Sequence, residues 1–348
     1  MHATDIISGT DAQHERFMSQ CLTLAEEGRG SVGNGAMVGA LLVLENNIIA
    51  QGVHRKFGES HAERDLLTTF RDIVPPEAIL YVNVEPCCHT GKTPPCTDII
   101  LERGVKRVCF GMRDPDERVG GRGVDLLRRN GVDVIGPISR PACEYCNRGF
   151  VNMRTKQRPW IILKSARTKD GRIANDDGSP LKITSEEQDQ WSHEQLRATV
   201  DAILVGVETV VRDNPYLNTR RDQRNPLTKG LNRYQPYRII LDPHLRIPSS
   251  SHVVSPDEAK RTIIITSPAA EPGKEDRKKE LQGRGVGVFD VPVFNGSFDF
   301  PELWNVLSRS EGEFHGITSI LVEGGARTWE AFRKAGCWDE EVTLVGRG

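Results

Sequence analysis

Four side chains have the types and spacing of a hydrolytic zinc site: His61, Glu63, Cys87 and Cys96. Zinc binds imidazole nitrogen and thiolate sulfur tetrahedrally, and a catalytic site leaves the fourth position to water. His61, Cys87 and Cys96 supply three ligands. Glu63 lies two residues past the histidine, so on a helical turn it points away from His61 and can face the open position. A catalytic zinc lowers the pKa of such a water to about 7. Glu63 would take that proton and pass it to a leaving amine. A closed structural site would need a fourth ligand, for which His89 and Cys88 are available. Adjacent cysteines rarely reach one ion, and structural sites favour short paired spacings, so the open, catalytic reading is preferred.

Strands and helices must place these groups. Residues 13–27 carry Phe17, Cys21, Leu24 and Ala25 at helical spacing, stopped by Gly28 and Gly30. Residues 36–44 and 48–53 form a hairpin around Glu45-Asn46-Asn47. A helix over 61–70 begins at the histidine, and a strand over 79–84 runs into Glu85-Pro86-Cys87. A helix over 96–103 begins at Cys96, where the N-terminal dipole favours the thiolate that metal binding requires. A strand over 105–111, a helix over 124–129 and a strand over 132–135 follow. This alternation implies an α/β domain.

At 348 residues the chain is long for one core, so two domains are expected, 1–152 and 153–348. The polar, basic residues 153–159 serve as the hinge. Cys143 and Cys146 fall on a helix over 141–151 and read as small packed side chains, since no second pair accompanies them. The second half repeats the α/β pattern, with strands over 160–166, 202–207, 238–241, 262–266 and 319–322 and helices over 185–198 and 328–335. It has no Gly-x-Gly-x-x-Gly after a strand, so a Rossmann site is not supported. Glu323-Gly324-Gly325 instead joins a strand to a helix, and paired glycines let backbone approach phosphate there.

Lys plus Arg number 46 against 48 Asp plus Glu, which gives no field for nucleic acid or membrane. The basic stretch over 220–233 lacks interleaved aromatics and reads as a solvated loop. No segment has the apolar length of a membrane span. Residues 1–10 lack the basic and apolar regions of an export signal. Eight cysteines in a long chain with metal-type spacing fit a reduced, cytoplasmic protein.

Glu85-Pro86-Cys87-Cys88-His89-Thr90-Gly91-Lys92-Thr93-Pro94-Pro95-Cys96 resembles the signature of the bifunctional riboflavin-biosynthesis deaminase/reductases. The likeness extends to Asn34, Val38-Gly39, His54, Gly58, Arg113-Asp114-Pro115 and Gly120-Gly121-Arg122-Gly123. It implies an N-terminal cytidine-deaminase-like α/β/α domain acting on a diaminopyrimidinone ribosyl phosphate. Asn34, His54, His89 and Lys92 would hold the base and phosphate, with Asp114 in the same pocket.

In the second half, Leu163-Lys164-Ser165-Ala166, Asp170-Gly171-Arg172-Ile173-Ala174, Ile183-Thr184-Ser185, Asp213-Asn214-Pro215 and Leu217-Asn218-Thr219-Arg220 are similar to the family's reductase half. That half implies a dihydrofolate-reductase-like α/β domain using NADPH. Thr168, Asp170, Thr184, Asp213 and Arg220 would form its substrate side. Lys164, Gly206, Thr209, Glu323, Gly324 and Gly325 would face the cofactor.

The chain departs from the family pattern at Gly33 and Gly35, which replace prolines, and at Cys88 and Asp116, which replace Ser and Asn. Lys182 and Glu208 replace Trp and Gly, and Thr168-Lys169 replaces Ser-Leu. Family members continue through more strand where this sequence stops at Gly348, so the final strands are expected to be missing or replaced. The expected activity is zinc-dependent deamination followed by NADPH-dependent reduction of ribosyl to ribityl, on a small phosphorylated pyrimidine, in a chain able to form a homo-oligomer. Alternatives are a deaminase with an inactive reductase-like half, a paralogue in a related pyrimidine-derived pathway, a nucleic-acid base deaminase and a noncatalytic zinc-stabilised assembly protein.

Overall fold

The structure of the protein, a computed structural model, describes residues 11–116, 120–173, 175, 181–220, 235–269 and 271–346. The readings made for 1–10, for Ala174 and for the basic loop beyond Arg220 fall outside the described residues. The chain divides into two compact units, Met1–Lys156 and Gln157–Gly348.

The first unit is a five-stranded sheet in the order β2-β1-β3-β4-β5. The strands are β1 (Gly39–Leu44), β2 (Asn47–Val53), β3 (Ile79–Val84), β4 (Arg107–Met112) and β5 (Asp133–Ile135). β1 runs antiparallel to β2 and β3, and β3, β4 and β5 are parallel. Six helices accompany them: α1 (Asp11–Ala25), α2 (Ala62–Thr69), α3 (Cys96–Glu102), α4 (Arg122–Arg129), α5 (Arg140–Cys146) and α6 (Arg148–Thr155).

Two glycines set how closely helices approach the sheet. A Cβ on Gly39 would lie 2.3 Å from the Cys21 carbonyl of α1, and one on Gly52 would lie 2.3 Å from the Ala62 carbonyl of α2. Gly52 pairs with Ala40, the neighbour of Gly39. Neighbouring strand residues face opposite ways, so α1 and α2 cover opposite faces. The core between them includes Phe17, Tyr81 and Phe110, each at most 1% exposed, and each such side chain contributes about 1.5–3 kcal/mol by burial.

The helix expected over 141–151 is two helices, broken at Asn147, whose side chain is bonded to both backbone groups of Met37. The stretch 153–159 is not all hinge. α6 continues through Thr155, held by Lys156 N–H on the Asn152 carbonyl at 2.7 Å, and the units divide after Lys156.

The second unit is an all-parallel sheet of seven strands in the order β10-β9-β8-β7-β13-β6-β14. Its strands are β6 (Trp160–Arg167), β7 (Ala202–Gly206), β8 (Tyr237–Leu241), β9 (Thr262–Thr266), β10 (Gly287–Asp290), β13 (Ser319–Val322) and β14 (Glu340–Val345). β11 (Val293–Phe294) and β12 (Ser297–Phe298) form a separate hairpin. The helices are α7 (Glu186–Trp191), α8 (Val207–Asp213), α9 (Lys274–Gly283), α10 (Phe300–Ser308) and α11 (Ala326–Lys334).

The inner strands β7, β8, β9 and β13 read as continuous apolar runs because both faces are covered. Leu204 and Ile239 pack in one cluster with Leu303 of α10 and Phe332 of α11. Ile203 and Ile240 pack in another with Val210 of α8 and Leu281 of α9. The chain leaves β7 towards β8 on one side and leaves β13 towards β14 on the other. A crevice opens at the carboxyl ends of two such strands, and ligands bind there in open α/β sheets.

Gly39→Ala is expected to destabilise the protein by about 1–3 kcal/mol through overpacking. Gly283→Ala, with no neighbour within 4 Å of the added carbon, should change stability by less than about 0.5 kcal/mol. Denaturant melts of the two variants check this.

Candidate functional site

His61 is the N-cap of α2 in extended backbone, so its ring is delivered at the mouth of the helix. Cys87 follows β3, and Cys96 is the first residue of α3, after Pro95. His61 Nδ1 lies 3.5 Å from Cys87 Sγ and 3.4 Å from Cys96 Sγ. The three donor atoms lie within 4.8 Å of one another. A tetrahedral zinc with bonds of about 2.1 Å to nitrogen and 2.3 Å to sulfur sets its ligand atoms about 3.5–3.8 Å apart. The donor set therefore fits zinc in type and spacing, with one position left open.

The thiolate is prepared locally. Cys96 N–H donates to Cys87 Sγ at 3.4 Å. Hydrogen bonding from the Cys96 thiol, reinforced by His61 and working against burial, pulls Cys87 down to about 4. That same bond to Cys87 raises the pKa of His61. Glu63 is 3% exposed, and its burial, with the Cys87 charge adding, pushes its carboxyl up to about 7. A carboxyl in that range can both take and give a proton near neutrality.

His61, Glu63 and Cys87 line a cavity of about 170 Å³, more than ten times the ~10–15 Å³ a single water needs. His54 Nδ1 lies 3.0 Å from the Ala36 carbonyl. A carbonyl only accepts, so Nδ1 carries the proton. Burial lowers the pKa of His54 and keeps it neutral, which leaves Nε2, buried without a partner, as an acceptor on the cavity wall. His89 lines the cavity too, with Nδ1 likewise unpartnered. Asp114 lines it with a carboxyl that burial pushes up to about 6. Asn34 stands next to the lining residue Gly35. Lys92 is not among the lining residues: its Nζ sits 3.6 Å over the Phe57 ring.

Sequence reasoning missed several supports. Glu85 accepts the backbone N–H groups of Asp114, Gly121 and Val124, tying the pocket loop to the start of α4. Asn83 and Asn147 clamp Met37 and Gly39 from opposite elements. Phe150 and Arg154 of α6 also line the cavity. Glu85 had a signal, being a charged residue at a strand end inside the motif. The others did not, because they act across long sequence separations. Cys143 is buried and Cys146 bonds weakly to Glu26, with both thiols pushed up to about 12 by burial; neither belongs to the donor cluster.

At the ends of β7 and β13 the second unit brings Gly206 and Gly324 together. A Cβ on Gly324 would lie 2.9 Å from Gly206 N and 3.2 Å from Thr328 Oγ1. The two turns thus form a bare-backbone cradle that a side chain would fill. Gly325 is open to solvent as N-cap of α11, and Thr209 is half-buried on α8. This cradle fits a phosphate-bearing cofactor.

Glu323 is committed to Arg197 through two bonds of 3.0 and 2.5 Å, and Arg197 also donates to the Asn218 carbonyl. Burial alone would raise the Glu323 carboxyl, but Arg197 outweighs it and the net direction is down. Thr184 and Lys182 both donate to Asp189, and the charge of Lys164 acts on Asp189 and Glu323. Thr168 and Asp170 bond to each other and to Arg172 in a separate tight turn. Asp213 ends α8, exposed. Glu208 pairs with Arg246 at 2.6 Å, so its negative charge is offset where a glycine is usual.

The helix expected over 185–198 opens into a π turn, Ser192–Leu196, and then a 3-10 turn. Turns of this kind often mark functional positions, and here the wider turn carries His193. Its Nδ1 accepts from Arg220 N–H at 3.1 Å.

Two family models match. Residues 159–346 match the RibD C-terminal domain, and residues 11–112 match the cytidine and deoxycytidylate deaminase zinc-binding region. The riboflavin biosynthesis protein RibD of Aquifex aeolicus is 38% identical over 332 residues, covering 95% of this chain and 86% of that one. The chain belongs to the RibD family. Among solved structures, Acinetobacter baumannii RibD superposes with a TM-score of 0.78 at 28% identity, covering 97% of this chain and 87% of its own. A diaminohydroxyphosphoribosylaminopyrimidine deaminase/5-amino-6-(5-phosphoribosylamino)uracil reductase from Thermotoga maritima gives 0.73 at 33% identity, covering 93% and 84%. RibD proteins are bifunctional deaminase/reductases of riboflavin biosynthesis, with both halves matched here.

Cys87→Ser or Cys96→Ser is expected to weaken zinc binding by at least about 100-fold, beyond what loss of an outer-shell partner costs. Cys88→Ser should leave zinc content unchanged; chelator competition followed by metal analysis reads this. A second expectation concerns pH. Burial, with the Arg197 charge adding, lowers His193 to about 4, against about 6.5 unfolded. The folded state thus favours neutral His193, and that stability is complete above about pH 6.5 and lost as pH falls towards 4. Denaturant melts from pH 7 to 4.5 should show a shallower loss in His193→Asn, whose Oδ1 accepts at any of these pH values.

Proposed function

We propose that the first unit removes the 2-amino group of 2,5-diamino-6-ribosylamino-4(3H)-pyrimidinone 5′-phosphate by hydrolysis, and that the second reduces the ribosyl group of the product to ribityl. The observation that carries this is the His61–Cys87–Cys96 donor set with Glu63 buried beside it, on one chain with a glycine-lined crevice in an all-parallel sheet.

In the first reaction His61, Cys87 and Cys96 would hold zinc, whose chemistry is to make water acidic enough to attack at neutral pH. Glu63 takes the proton of the attacking water on its carboxylate and delivers it to the departing nitrogen, so ammonia leaves as the C–N bond breaks. His54 Nε2 accepts an N–H of the base. Asp114, whose carboxyl burial pushes up to about 6, faces the base from the same wall. Asn34 and His89 complete the grip on the base.

In the second reaction the cradle of Gly206, Gly324 and Gly325, with Thr209 and Lys164, would hold NADPH, which supplies the hydride. Glu323 supports that cradle from below through Arg197. Thr168, Asp170, Thr184 and Asp213 would bind the ribosyl chain, and Arg220 would pair with its phosphate in a two-pronged contact. His193 holds the Arg220 backbone in place for this. The substrate is a small phosphorylated pyrimidine handled in the cytoplasm. No helix among the described residues is long and apolar enough to cross a membrane.

Incubating the purified protein with the diaminopyrimidinone phosphate, with and without NADPH, should yield the deaminated product alone and then the ribityl product, identified by mass. Glu63→Gln should retain zinc and lose about 10²–10⁴-fold in deamination. Undiminished deamination in that variant, or no NADPH oxidation when the deaminated product is supplied, would refute the corresponding half.

A further inference from the structure

Arg154 carries none of the roles read from the motifs. It lies on the last turn of α6 and lines the deaminase cavity. The charges on that wall are lopsided. Glu63, Glu85, Asp114 and Asp116 line it, while Arg154 is the only lysine or arginine among the described lining residues. A phosphate monoester brought to such a wall meets repulsion unless a fixed cation receives it. Lys92, the cation that the family likeness would put on the phosphate, rests instead on Phe57 away from the lining.

Arg154 is held for this task from two sides. Its guanidinium lies over the Phe150 ring, 5.3 Å from the centroid. Its Nε lies 3.8 Å from Asp116 Oδ2, a Coulombic contact too long to be a hydrogen bond. The opposite edge of the planar fork presents two further N–H donor groups in the geometry that suits phosphate. Asp116 stands where Asn is usual in the family, so this chain adds a negative charge beside its anion receptor.

We propose that Arg154 is the phosphate anchor of the deaminase pocket and that Asp116, by holding the Nε side of the same guanidinium, tempers its grip. Substrate phosphate would bind the Nη edge, and the Asp116 charge would set how strongly the phosphorylated substrate is preferred over its nucleoside. This rests on the reading of the first unit as a deaminase of the ribosyl phosphate.

The test measures kcat/KM for deamination of the phosphorylated substrate and of the corresponding nucleoside, and takes their ratio. Arg154→Gln is expected to lower the ratio about 10–100-fold, the loss of a charge-assisted pair. Asp116→Asn should raise it several-fold, which keeps the proposal testable even where Arg154→Gln folds poorly. A ratio unchanged in both variants overturns the inference. So does a phosphate-specific loss in Lys92→Gln with Arg154→Gln at the wild-type ratio. Failure of the unmodified protein to deaminate the phosphorylated substrate would instead sink the deaminase reading, and this inference with it.

Discussion

Bringing two cysteine sulfurs within 3.5 Å of His61 Nδ1 requires the start of α2, the end of β3 and the start of α3 to meet at one point. Groups that bind a cation repel or desolvate one another without it, so the scaffold must impose the arrangement. It does so through close backbone approach. Gly52 lets α2 lie against β2, so His61 arrives at the end of β3 rather than above it. The α3 N-terminus then donates to Cys87 Sγ, and Arg64 of α2 donates to the Pro95 carbonyl beside Cys96. A thiolate at Cys87 is thereby stabilised by the fold itself, which reduces the cost of assembling the site.

The surrounding pocket is built on the same principle of satisfied polar groups. Glu85, at 3% exposure, needs donors for its carboxyl oxygens. Three backbone N–H groups supply them, and in exchange the loop carrying Asp114 is tied to α4. His54 meets the same demand with one ring nitrogen and leaves the other for a substrate. Function therefore sits on whatever hydrogen-bonding capacity the fold leaves over.

In the second unit the constraint is a buried ion pair. Arg197 and Glu323 bridge the π-turn region and β13 beneath the glycine cradle. Removing one partner of such a pair typically costs about 3–5 kcal/mol because the other charge is stranded. The pair thus locks the glycine turn that follows β13, and Glu323 is committed to Arg197.

The His61–Cys87–Cys96 donor cluster and the α/β alternation could be read from the chain itself, because ligand chemistry and apolar periodicity are local properties of residue type and spacing. The glycine turn after β13 was legible for the same reason. Other features were not. The break at Asn147 comes from a bond to Met37, the π turn carries His193 to the Arg220 backbone, and the 3-10 turn after it carries Arg197 to Glu323. None of these partners is visible from local sequence. Likewise the sequence placed Lys92 within the substrate motif, but only the folded chain shows it resting on Phe57 while Arg154, some sixty residues on, reaches the cavity wall. The sequence by itself determined which chemistry the protein carries. The tertiary structure decided which charges face the substrate, because that depends on contacts between segments that no spacing along the chain records.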